Sequence, residues 1–242
     1  MYSYGLLGVG LASITAAILT YSRGALVGLA TIGFFYFLTA RHKLAVALSG
    51  LMLVSIGFGV LPSRWFDRMH SITSFQEDGS ANQRIDSWIL SYRLARAYVL
   101  GGGFECFTPE QYWKFAPRPE INVNGSEAHT AHSIYFEVMA EHGFIGFLIY
   151  LLCLLSLLLS LRQLDRLGHF LPGAEWIIIY SRAFAISLLG FMACGAFLSR
   201  AFFDLFWSIY AAAVCFHCIV FSGNWIETPR KVMLVSNTCK PS

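Results

Sequence analysis

Six apolar runs alternate with short polar breaks along this chain, at about 3–21, 25–40, 44–61, 143–161, 177–198 and 204–222. Each is long enough, or nearly so, to cross the roughly 30 Å hydrocarbon layer of a bilayer. None shows the one-sided apolar stripe of a soluble helix, so the pattern predicts helices that are apolar all round. The second run is short and must use its flanks. The expected fold is all-α: a polytopic membrane protein of about six transmembrane helices with a large, mostly helical loop on one face.

Polar positions cluster in one place, the 62–142 segment. Within it, 81–99 carries Ile85, Trp88, Ile89, Tyr92 and Ala95 at helical spacing, which predicts an amphipathic helix with those residues inward. The GGGF stretch at 101–104 breaks it. TPEQYWKF, 108–115, predicts a Thr-capped helix with Pro in its first turn. The 116–125 stretch is expected to be irregular, and a further helix is expected to start near His132 and enter the membrane. The expected domains are 1–61 with three spans, 62–142 as the loop, 143–222 with three spans, and a tail at 223–242.

Composition agrees with the pattern. The 242 residues are 56% hydrophobic and 13% charged, against about 25% charged for soluble domains; the mean hydropathy is +0.58. A formal charge of +3 with no basic block argues against nucleic acid as a partner. The first residues lack a basic cluster, so no cleaved signal peptide is expected. Short basic connections orient the chain. Arg41 and Lys43, Arg162 and Arg166, and the tail with Arg230, Lys231 and Lys240 fall on one side with the N-terminus, the expected cytoplasm. The 62–142 loop then lies outside and is mildly acidic. The six cysteines form no framework, and CFHC at 215–218 lies in an apolar run, where packing explains it better than metal or redox chemistry.

Few residues can carry chemistry. Arg23, between two apolar runs, is either a snorkelling turn residue or a fixed cation for an anionic head group, since a guanidinium fork fits phosphate. Arg84 is either in a solvated ion pair with Asp86 or a nearby acid, or a second phosphate clamp, with Arg64, Arg68, Arg93 and Arg96 as competitors. His132 is either an interfacial capping residue or a general base. At a helix N-terminus the dipole disfavours imidazolium, which keeps the ring neutral. His129, Glu137 and Glu141 are secondary candidates. The two glutamates share a helix face and can support His132, bind sugar hydroxyls, or be solvated. His129 and His132 lack the further ligands a metal needs. Tyr112, Trp113 and Phe115 can stack on sugars or pack on the membrane surface.

The combination of SRGA at 22–25, NQRIDSW at 82–88 and HSIYFEVMAEHGFIG at 132–146 resembles the O-antigen ligase and polymerase superfamily. Its histidine motif is His, then Asn, Ser or Gln, nine residues, Gly, two residues, Gly; His132, Ser133, Gly143 and Gly146 fit it. LPSRWFDRM, EDGSANQRIDSW, GGGFECFTPE and GAFLSRAFFDL narrow the resemblance to O-glycosylation ligases associated with exosortase A systems, over about 1–222. The resemblance implies a multi-pass protein of the bacterial inner membrane with a periplasmic site. It implies a glycosyltransferase that moves a glycan from undecaprenyl pyrophosphate to a glycan, lipid or protein acceptor hydroxyl, with no cofactor, nucleotide sugar or metal. Arg23 and Arg84 would bind the pyrophosphate and His132 would activate the acceptor. Family members have more helices before SRGA, so the chain is expected to lack the N-terminal half of the family pattern. A polymerase, a non-catalytic membrane subunit and a lipid-linked glycan transporter remain alternatives. A transporter should carry polar residues at mid-membrane, whereas Arg182 and Arg200 fall nearer the interfaces.

Overall fold

The computed structural model describes residues 2–20, 22–60, 79–124 and 127–222. All six apolar runs are helical: α1 (Tyr2–Leu19), α2 (Arg23–Thr39), α3 (Lys43–Val60), most of α7 (Ile134–Phe170), α8 (Glu175–Gly195) and α9 (Asp204–Ser222). Between α3 and α7 lie α4 (Gly79–Ala97), α5 (Pro109–Phe115), α6 (Pro119–Asn122) and a two-residue-per-strand hairpin pairing β1 (Val123–Asn124) with β2 (Glu127–Ala128). The expected cytoplasmic tail, with Cys239, Arg230, Lys231 and Lys240, and the 62–78 part of the loop, with Arg64 and Arg68, lie outside the described residues.

Among the described residues two helices, α7 and α8, are long and apolar enough to cross a membrane; shorter apolar helical stretches cover Leu7–Leu19, Arg23–Thr39, Lys43–Ser55 and Phe206–Ser222. Their outward faces are apolar. Leu148, Leu152, Leu155 and Leu159 on α7 and Leu44, Leu48, Leu51 and Met52 on α3 are exposed over at least half their surface or close to it. Water would not tolerate so much contiguous apolar surface, whereas lipid does.

Small residues set the packing of α2. Gly24 faces Cys194 of α8 and Phe197 just beyond it, Gly28 faces Cys194 and Gly190, and Gly190 receives Ile32. The two helices therefore run antiparallel with their backbones close, as membrane helices do at small residues. On its other side α8 packs along α7. Leu154, Leu157, Leu161 and Leu164 of α7 join Ile177 and Leu188 of α8 and Phe206 and Phe216 of α9 in one buried cluster. Phe191 stacks on Phe206 at 4.1 Å. Arg182 donates to Asp165 at 2.6 Å across α7 and α8.

Helix α7 is too long for this partner. Gly168 lies against Ile178, and Gly195 lies against Ile134. From Ile178 to Gly195 a helix rises about 26 Å, but from Ile134 to Gly168 a straight helix would rise about 51 Å. The difference is taken up at Gly143, whose φ of 65° and ψ of −170° interrupt the helix. The 134–142 stretch thus turns back across the end of α8, and the spanning part of α7 begins after Gly143.

The polar layer is organised around α4. Its N-terminal and C-terminal ends match the expected helix within two residues and Ala95 is buried as expected, but the rest of its buried face differs. Leu90, Leu94, Ser87, Ser91 and Asp86 are buried, while Tyr92 is exposed. The stripe read from apolar residues is rotated because small serines fill the inward face. Their hydroxyls donate to the carbonyls four residues back, Ser87 to Gln83 and Ser91 to Ser87. Helix α5 is capped as expected, the Thr108 hydroxyl accepting from the Gln111 amide and Pro109 opening the helix. The 116–125 stretch is more ordered than expected. Pro119 starts a one-turn helix, for which its fixed φ is suited, and the hairpin follows.

A Cβ added at Gly143 would press into the Val99 carbonyl while φ remains positive. Gly143→Ala should lose at least about 1–3 kcal/mol from backbone conformation alone, seen as a lower thermal unfolding midpoint in detergent.

Candidate active site at the end of the α7–α8 pair

The turn at His132 is made by its neighbours. His132 has φ 48°, a left-handed conformation uncommon for a residue with a side chain. Ser133 is the N-cap of α7, so His132 lies one residue before the cap. Trp88 donates its indole N–H to the Ala131 carbonyl at 2.9 Å, and its ring stacks on Phe136 at 4.9 Å. Tyr112 donates to the His129 carbonyl at 2.6 Å, and the Ser87 hydroxyl lies 2.6 Å from the same phenol oxygen. Two side chains from α4 and α5 therefore clamp the backbone on either side of Thr130, and the chain enters α7 with His132 fixed. Strain of this kind persists only where the surroundings enforce it.

Arg84 lies one turn before Trp88 on α4. It is half-buried, and its Nε is buried with no hydrogen-bond partner among the described residues. The expected alternative, a pair with Asp86, does not form because residues two apart do not face each other on a helix. Asp86 turns inward, 1% exposed, and Arg118 donates to both its oxygens at 2.8–3.3 Å. That pair ties the segment before α6 to α4. Arg93 donates to the Phe115 carbonyl at 3.0 Å and, with Arg96, faces outward.

His132 is held below the ordinary histidine pKa, by burial first, then by the positive charge of Arg84, then by His129. The expected neutral imidazole thus has a different main cause from the helix dipole. The shift also records that Arg84, His129 and His132 are electrostatic neighbours.

Arg23 opens α2, behind Ser22, whose hydroxyl accepts from the Ala25 amide at 3.3 Å. Its neighbour Gly24 meets Cys194 and Phe197, and Gly195 meets Ile134. Arg23 is therefore at the same end of the bundle as the start of α7.

Glu137 and Glu141 have other partners. The Glu137 carboxylate accepts from the Ala201 amide at 2.9 Å and so holds the α8–α9 connection. Its pKa is raised by burial, against lowering by that hydrogen bond and by Arg200. Glu141, 6% exposed, accepts from the Glu105 amide at 3.1 Å and leaves its second oxygen without a partner among the described residues. Burial pushes its pKa up to about 7, with the Glu105 amide acting against it. Around this carboxyl the 101–105 loop is pinned by Gly102 donating to the Ala140 carbonyl and Gly103 to that of Glu141.

Of the three candidate sugar platforms, Tyr112 is fully buried and serves the clamp, and Phe115 packs against Leu94, Cys106 and Ala140; Trp113 is exposed. Among the described residues no three His, Cys, Asp or Glu side chains converge to hold a metal ion. The clamp role is not legible in the sequence: Trp88 reads as core and Tyr112 as a surface or sugar-stacking aromatic, and no local signal pairs Trp88 with a carbonyl 43 positions away.

The family model for O-antigen ligase matches residues 8–151, which include Arg23, Arg84, His132, Gly143 and Gly146. No curated protein and no solved structure matches the chain. The clamp, the half-buried guanidinium and the apolar helices beneath them define a membrane-integral protein with a polar site at one end of its bundle. The chain belongs to the O-antigen ligase family, whose function is of the membrane O-antigen ligase or polymerase type.

The Glu141 carboxyl generates a pH prediction. Its folded pKa is raised, so the stabilising neutral form is complete below the unfolded value near 4.5 and lost as pH rises through about 7. The thermal midpoint in detergent should fall between pH 5 and 8, and Glu141→Gln should flatten that fall.

Proposed function

We propose that the chain transfers a glycan from undecaprenyl pyrophosphate to an acceptor hydroxyl. The reading places six spans in the bacterial inner membrane and the site on the periplasmic face. The observation that carries it is the buried Nε of Arg84, without a partner among the described residues, in electrostatic reach of His132, whose backbone turn is clamped by Trp88 and Tyr112. A buried cationic donor without a partner is costly, and an oxygen of an anionic ligand would satisfy it. Arg23, at the same end of the bundle, supplies a second cation.

In the proposed reaction the pyrophosphate lies against Arg84 and Arg23 with its polyprenyl tail in the bilayer. His132 takes the proton of the acceptor hydroxyl as that oxygen attacks the anomeric carbon. The bond from the anomeric carbon to the pyrophosphate oxygen breaks, its electrons stay on the pyrophosphate, and the two guanidinium groups stabilise that charge. One displacement inverts the anomeric centre, and the imidazolium then returns its proton to solvent. No metal or cofactor is required. The acceptor is a hydroxyl of a glycan, a lipid or a protein side chain, and the likeness to O-glycosylation ligases supports the last.

The test is release of polyprenyl pyrophosphate by the reconstituted chain, supplied with lipid-linked donor and acceptor. His132→Ala should lower turnover by about 10²–10⁴-fold; unchanged turnover would refute the base assignment. Arg84→Lys and Arg23→Lys should each lose much of the activity although charge is kept, because the two-pronged donor is gone.

A further inference from the structure

We propose that the 98–104 turn is a bilayer anchor: its apolar side chains insert into the lipid surface beside the start of α7 and hold α4 against the membrane. The turn follows α4 and carries Val99, Leu100 and Phe104, which are 70%, 73% and 71% exposed. Three large apolar residues so exposed on one turn need a non-aqueous neighbour.

The position of the turn identifies that neighbour. Its backbone is fastened to α7 at the hinge. The Val99 carbonyl lies against Gly143, and Gly101 packs on the backbone of Glu141 and Gly143. Gly102 and Gly103 donate to the Ala140 and Glu141 carbonyls at 2.8 and 3.0 Å. The Phe104 ring meets His142 at 4.8 Å and Phe202 at 5.5 Å, and Tyr92 meets Phe144 at 5.8 Å. Immediately beyond the hinge, Phe144, Ile145, Leu148 and Ile149 are exposed on the lipid-facing side of the spanning helix. The patch on the turn is continuous with a surface already in lipid.

Charge supports the same occupant. Arg93, Arg96 and Lys114 are exposed around the turn, against the exposed acids Glu105 and Glu110. Lys114 donates to the Tyr98 hydroxyl at 3.0 Å, which keeps its ammonium over the aromatic rim. Apolar tips bordered by cations and a tyrosine are the composition of a segment lying in the headgroup layer. The anchor is independent of the glycosyl-transfer reading, because it requires only that α7 spans a bilayer.

The experiment uses the full chain in vesicles of phosphatidylethanolamine and phosphatidylglycerol containing a phospholipid with a diazirine near the top of one acyl chain. After photolysis, adducts are mapped by mass spectrometry. The anchor predicts lipid adducts on Val99, Leu100 or Phe104 as well as on the 144–149 stretch, which reports correct insertion. Leu100→Glu combined with Val99→Glu should lose the adducts on the turn and keep those on 144–149. Labelling of 144–149 with an unlabelled turn in the unaltered chain would overturn the proposal. So would cross-links joining the 98–104 turns of two copies in place of lipid adducts.

Discussion

A helix cannot remain straight beside a partner half its length when both of its ends must touch that partner. This mismatch between α7 and α8 governs the arrangement of the polar layer. Gly143 resolves it with a backbone conformation suited to glycine. The 134–142 stretch is thereby laid over the end of the bundle, and its first residues return to Gly195. Without the break, His132 would project far from α8 and from the start of α2. The same break creates the ledge on which the glycine turn after α4 is fastened. One residue thus fixes the relation between the spanning helices and the segment bearing the candidate chemistry.

On that ledge the polar layer is held by buried hydrogen bonds. Asp86 is taken inward and matched by Arg118 through a two-pronged contact. Ser87 and Tyr112 share a buried contact, and Trp88 reaches the Ala131 carbonyl. Groups buried in this way are costly to leave unpaired, so such a network favours one arrangement over its alternatives. Arg84 differs because its Nε is buried and unmatched among the described residues. Among the described residues the other side-chain polar atoms buried without a partner are oxygens, on Gln111, Glu141, Tyr150 and Ser199, so Arg84 is the one cationic donor in that state.

Much of this was legible in the chain. The six apolar runs are helical, as long apolar segments must be wherever they leave water and satisfy their backbone within themselves. The capped start of α5 was visible as Thr108 followed by Pro109. The candidate residues Arg23, Arg84 and His132 lie in three motifs legible in the chain, although nothing local to Arg23 shows that it shares an end of the bundle with His132. The buried face of α4 was misjudged because apolar residues were counted and serines were not. Serines that satisfy their hydroxyls on their own helix can face inward as readily as alanine. The roles of Glu137 and Glu141 were also hidden, since each carboxyl meets an amide distant in sequence, that of Ala201 and that of Glu105.

The proximity of Arg84 to His132 has a consequence for the order of events. The guanidinium helps to depress the basicity of the imidazole. An anion docked on that guanidinium would cancel much of its field, and the ring would then hold a proton more firmly. On the proposed reading, arrival of the anionic donor at Arg84 would raise the basicity of His132, so that proton abstraction would follow donor binding.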